Sequence, residues 1–200
     1  MSSRPAPQPL SIDALQTLER ESFVTLLGGV VEHSPWVVQR AWAKRPFNSF
    51  AALFEALSGC IHEAAPAEQV ALVRVHPELA GREAVAGTMT PDSNAEQGRL
   101  GLLALSPQDM ARLTDLNRRY QAKFGFPFVV ALRLHASLAS VFQAFEARLA
   151  HDAGTELTIA LQQVCEVMRG RLARAVADNN ATPIPLPPSP SLSTAPRNLP

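Results

Sequence analysis

Apolar residues return every three or four positions through almost the whole chain, and this period decides the fold class. Phe50, Leu53, Phe54, Leu57 and Ile61 form one stripe, Met110, Leu113, Leu116, Tyr120 and Phe124 a second, and Leu157, Leu161, Val164, Cys165, Met168 and Leu172 a third. Residues so spaced share one face of an α-helix, whereas a half-buried strand would need strict alternation. The chain is therefore expected to be all-α, with about seven or eight helices and no significant sheet. Boundary signals agree. Ser49 stands before the first stripe, Ser106-Pro107 offers an N-cap followed by proline at the first helical position, and Gly125 can end that helix. Gly154 reads as a stop and Thr155 as the cap of the long final helix. Shorter helices are expected over 12–31, 35–44, 67–75, 94–104 and 136–150.

Prolines mark both ends of this pattern. Pro5, Pro7 and Pro9 precede Ser11, and seven prolines fall between Pro183 and Pro200. Proline fixes φ and removes a backbone donor, so residues 1–10 and 179–200 are expected to be disordered tails around one helical domain over 11–178. Eighteen Lys and Arg against eighteen Asp and Glu leave no net charge, which removes the basic field of a nonspecific nucleic-acid binder. No apolar run suits a membrane span, and MSSRPAPQPL lacks the apolar core of a secretory signal, so a cytoplasmic location is expected. The final Asn198-Leu199-Pro200 is not a peroxisomal tripeptide. Cys60 and Cys165 stand far apart with no ligand partner, giving no support to a disulfide framework or a cysteine metal site.

Three segments carry residues suited to chemistry. In His76-Pro77-Glu78-Leu79-Ala80-Gly81 the proline disfavours helix at the residue before it, so His76 is expected at the break after the 67–75 helix, its ring aimed away from that helix. Such an imidazole is either a packed histidine beside a helix end or a group that moves a proton near neutral pH. Ser93-Asn94-Ala95-Glu96-Gln97 follows. Ser93 and Glu96 have the spacing of a capping box, which would explain both without catalysis. In the competing reading Glu96 faces His76, fixes its tautomer and raises its pKa. The third segment, Lys123 to Arg133, contains Gly125 and Pro127 between two helices, so amides and carbonyls of 128–132 lack helical partners and suit a planar, amide-rich ligand. Finally, Arg171 lies at the edge of the last apolar stripe, placed either to snorkel or to point a fixed charge into a cleft.

Together these segments resemble the 2-oxo-4-hydroxy-4-carboxy-5-ureidoimidazoline (OHCU) decarboxylase family over about residues 11–176. The resemblance rests on Glu32-His33-Ser34-Pro35-Trp36-Val37, His76 to Gly81, Ser93-x-x-Glu96-Gln97 with Gly101-Leu102, Leu116-Asn117-x-x-Tyr120-x-x-Lys123 running into Phe124 to Phe128, and Arg171-Leu172. It implies an all-helical, homodimeric enzyme that forms (S)-allantoin in urate degradation and needs neither metal nor organic cofactor. His76 and Glu96 would be catalytic. Pro77, Ser93 and Gln97 would surround the small-molecule substrate, backbone groups of Phe128, Val129, Val130, Ala131 and Leu132 would lie against its ring, and Arg171, or else Arg133, would meet its polar oxygens. The rivals are a purine-catabolic hydrolase and a noncatalytic helical interaction protein of the same fold.

Overall fold

The computed structural model describes residues 9–177, and these form ten α-helices joined by short turns. In chain order they are α1 (Ile12–Gln16), α2 (Arg20–Leu27), α3 (Pro35–Ala41), α4 (Phe50–His62), α5 (Pro66–Arg74), α6 (Arg82–Ala86), α7 (Pro91–Arg99), α8 (Pro107–Phe124), α9 (Leu138–Arg148) and α10 (Ala153–Ala175). Single 3-10 turns follow α3 at Trp42–Lys44 and precede α9 at Leu132–Leu134. There is no strand among the described residues, only a single parallel bridge between Leu10 and Val176. No helix there is long and apolar enough to cross a membrane.

The centre is α10. It packs against α2, α4, α5 and α8, and its Ala160, Val164, Met168 and Leu172 are buried. The apolar stripe explains its depth, and the same depth encloses the one polar residue of its last turns that faces inward, Arg171. Ser49 and Ser106 cap α4 and α8 by accepting from the amides of Ala52 and Asp109, and Gly125 ends α8 at φ 74°, the left-handed region that only glycine enters freely.

Several boundaries differ from the sequence expectation. The helix expected over 12–31 is two, broken at residues 17–19: Thr17 ends α1 by donating both its hydroxyl, at 2.8 Å, and its amide, at 3.2 Å, to the Ala14 carbonyl, a local side-chain bond that competes with the helical ladder. The helix expected over 94–104 runs Pro91–Arg99 instead: Thr90 caps it, Pro91 opens it, and the chain turns at Gly101. In α10 the cap is Asp152, which accepts from the Thr155 amide at 2.9 Å, so Gly154 lies inside the first turn and is no stop. The short α6 was not expected. Of the tails, residues 1–8 and 178–200 lie outside the described residues; Leu10, grouped with the first tail, donates its amide to Ala175 and accepts from Ala177.

Candidate active site

His76 follows the end of α5, where Pro77 prevents a further helical turn. Its ring does not point away from that helix, as expected, but turns back, with Nδ1 2.9 Å from the carbonyl oxygen of Leu72. A carbonyl oxygen only accepts, so Nδ1 carries the hydrogen and Nε2 presents a lone pair. That Nε2 is buried and has no hydrogen-bond partner among the described residues. Burial pushes the imidazole down to about 4; the Leu72 bond and the Glu32 carboxylate pull upward, and the Arg171 charge pushes further down. Near neutral pH the ring is uncharged. The turn after it is clamped: Gln97 accepts from the Ala80 amide at 2.8 Å and donates to the Glu78 carbonyl at 3.2 Å, while Asn117 donates to the Leu79 carbonyl at 3.0 Å. Gly81 is required there, since a Cβ would stand 2.6 Å from the Glu78 Cβ.

Neither reading of Glu96 describes what the helix does with it. Because α7 starts at Pro91, Ser93 is not its cap and Glu96 is not the return half of a capping box. Nor does Glu96 hold His76. Its two oxygens accept from Arg171, at 3.1 Å from Nε and 2.9 Å from Nη2. The other side of that guanidinium is taken by Glu32, which accepts from Arg171 Nη1, from the Ser93 hydroxyl at 3.0 Å and from the Thr90 hydroxyl at 2.8 Å. Ser93 in turn accepts from Arg171 Nη2 at 3.0 Å. Burial alone would raise the Glu32 carboxyl, but the charge of Arg171 and hydrogen bonds from Arg171, Thr90 and Ser93 hold it below the usual carboxylate range. Burial likewise opposes the charge of Arg171, and the two carboxylates more than restore it. One guanidinium thus lies between two carboxylates, one buried with a side-chain exposure of 1% and the other on the rim at 26%.

The segment after α8 forms the opposite wall. Phe126, Phe128, Val129, Val130 and Leu132 are buried. Some of its backbone groups are held from behind: the Val129 carbonyl by Arg148 at 2.7 Å, the Ala131 amide by Gln163 at 3.0 Å, and the Leu132 carbonyl by Arg99. The Val129 amide and both the amide and carbonyl of Val130 have no partner among the described residues. The amide and carbonyl of Phe128 and the amide of Leu132 likewise have none there, so the committed groups of 128–132 are the Val129 and Leu132 carbonyls and both groups of Ala131.

These pieces meet at one cavity of about 40 Å³, lined by His76, Pro77, Leu79, Ser93, Glu96, Gln97, Phe128, Val129, Val130, Leu132, Val167 and Arg171. Arg133 does not line it and pairs with Glu166 instead, and Ala131 stands behind the wall. The role of Glu32 was missed from the sequence, as were Leu79 and Val167. His76 also borders an outer cleft of about 520 Å³ that includes Arg74, Arg82 and Gln121. No group of three or more His, Cys, Asp or Glu placed to hold a metal occurs among the described residues.

The family model for OHCU decarboxylase matches residues 16–173. The chain belongs to the OHCU decarboxylase family. It is 34% identical over 173 residues to the OHCU decarboxylase of Halalkalicoccus jeotgali, covering 86% of this chain and 96% of that one. With the OHCU decarboxylase of Haloferax volcanii the identity is 36% over 164 residues, 82% of this chain and 95% of the relative. A crystal structure of (S)-allantoin synthase superposes with a TM-score of 0.66 at 23% identity, covering 84% of this chain and 54% of that one, and shares its helical fold.

Proposed function

We propose that the chain decarboxylates OHCU to (S)-allantoin and carbon dioxide without a cofactor. The observation carrying this reading is the meeting at one cavity of a bare, neutral imidazole nitrogen and a buried guanidinium. In the substrate the carbon bearing the carboxyl and hydroxyl groups adjoins a ring imine. When the carbon–carboxyl bond breaks, its electron pair forms a double bond to the neighbouring carbon, and the imine pair moves to nitrogen, which takes a proton. Carbon dioxide leaves and an enol remains. The enol hydroxyl then loses its proton as the carbonyl forms, while the neighbouring carbon gains one on a single face. The ring is its own electron sink.

In this reading His76 Nε2 accepts the hydroxyl proton, a role suited to a neutral, correctly held base. Arg171 receives the substrate carboxylate. Glu96, on the rim, is the displaceable partner of Arg171, while the buried Glu32 stays and keeps the guanidinium aimed. Pro77, Ser93 and Gln97 shape the pocket, and the free amide and carbonyl of Val130, with the Val129 amide, pair with the amide edge of the ring between Phe128 and Leu132. We also infer a homodimer, from the family likeness, and a cytoplasmic location, from the sequence signals, to be tested by light scattering and cell fractionation. The activity is tested by generating substrate from urate oxidation and hydroxyisourate hydrolysis and following carbon dioxide release together with allantoin circular dichroism. Rapid formation of one enantiomer with carbon dioxide is expected. Ring opening without carbon dioxide would point to hydrolysis, and racemic product at the uncatalysed rate would refute the proposal.

A further inference from the structure

Tyr120 belongs to a motif of the family, yet it does not line the pocket. It is fully buried on α8 and donates its hydroxyl to Glu156, in the first turn of α10. The same carboxylate accepts from Arg148 Nε at 2.8 Å, and its other oxygen lies 2.8 Å from His151 Nδ1. Arg148, the last residue of α9, is also buried, and it reaches forward: Nη1 donates to the Val129 carbonyl at 2.7 Å and its guanidinium carbon stands 4.4 Å from the centre of the Phe128 ring. Phe128 is stacked on Phe145 of α9 with ring centres 3.9 Å apart. Buried ion pairs can often be replaced by apolar side chains without loss of stability, so stability alone does not account for one here. What an apolar residue cannot supply is a donor to a wall carbonyl and a flat cation on the adjacent ring from one side chain.

We propose that Arg148, balanced by Glu156 and Tyr120, is a positioning residue for the substrate: by fixing the Val129 carbonyl and the Phe128 ring it holds Val130, with its uncommitted amide and carbonyl, in the pocket wall. The proposal rests on the reading of that wall as the seat of the substrate ring. Removing Arg148 alone strands the Glu156 charge, so the decisive variant is the double Arg148→Met, Glu156→Gln, which strands no charge and leaves Tyr120 an acceptor. In the full chain, hydrogen exchange over 128–132 should accelerate at least about tenfold while α4 is unchanged, as expected of a locally released segment. KM should rise about tenfold or more with kcat within about threefold, since binding is lost equally in ground and transition states. Arg148→Lys, which keeps the charge but cannot bridge both partners, should fall between. A merely structural role would speed exchange throughout, lower kcat with the folded fraction and leave KM alone; that pattern, or unchanged exchange at 128–132, overturns the proposal. If the unaltered chain fails to release carbon dioxide, the proposed function is what fails, and the exchange comparison still decides whether Arg148 holds the wall.

Discussion

Arg148 and Arg171 are each buried against a glutamate, and each spends its donors in the same way, through Nε and both terminal nitrogens. Their surroundings separate them. Every partner of Arg148 is buried: Glu156, Tyr120 and the Val129 carbonyl. Arg171 borders a cavity, and one of its two carboxylates reaches solvent. An enclosed pair with buried partners fixes geometry, because moving any member leaves a polar group unpaired; an arginine with one exposed partner can exchange it for an incoming anion.

The largest effect should appear beside the pocket cluster, at His76. His76→Asn should lower turnover by about 10²–10⁴, read as carbon dioxide release, with the fold kept. The unperturbed imidazole titrates near 6.5 and the folded one at about 4. Between those values the unfolded chain binds a proton that the folded chain refuses, so stability falls as pH drops through that window, by up to about 1.4 kcal/mol per pH unit for one proton. His76→Asn should flatten this slope in denaturant titrations, and the acid limb of kcat/KM in the unaltered enzyme should lie near 4 and not near 6.5.

Exchanging the two arginines for methionine tests the comparison directly. Each change strands a buried carboxylate and should cost about 3–5 kcal/mol in unfolding experiments. Their activities should part company: Arg171→Met should lose a further factor of about 10²–10³ in turnover per folded molecule, the scale of a missing charge donor, while folded Arg148→Met loses affinity. Equal turnover losses would erase the distinction. A smaller effect is expected at Glu96. On the proposed reading Glu96 competes with the substrate for Arg171, so Glu96→Gln should lower KM severalfold, with kcat within about threefold and melting unchanged; a hundredfold loss of kcat would instead assign Glu96 a direct catalytic part. The smallest effect concerns helix α7, where Thr90→Ala should cost about 1 kcal/mol as the loss of its N-cap, measured by thermal unfolding.

What was legible in the sequence follows the range of the interaction. Ser49 and Ser106 accept from amides three residues on, and Gly125 donates its amide to the Gln121 carbonyl four residues back, so their roles could be read locally. Thr90-Pro91 carries the same signal as Ser106-Pro107, and with α7 starting there and not at Ser93, Glu96 falls in the second turn and pairs with Arg171. Glu32 offers no such signal. Its partners Thr90, Ser93 and Arg171 lie 58, 61 and 139 residues away, and nothing in the local pattern around it announces a buried carboxylate. The choice between Arg171 and Arg133 was equally a matter of packing: both flank apolar segments, and only the depth of α10 sends one of them to the cavity.

The bridge of Leu10 with Val176 has a consequence for anyone wishing to rewire this chain. Joined ends are commonly taken as an invitation to circular permutation, but here the two segments run side by side in the same direction. A direct link from Ala177 back to Pro9 would have to reverse direction beside the bridge. Fusion after Ala177 keeps both bonds of the clasp, whereas a cut before Ala175 removes the carbonyl that Leu10 uses and frees the end of α10 one turn from Arg171.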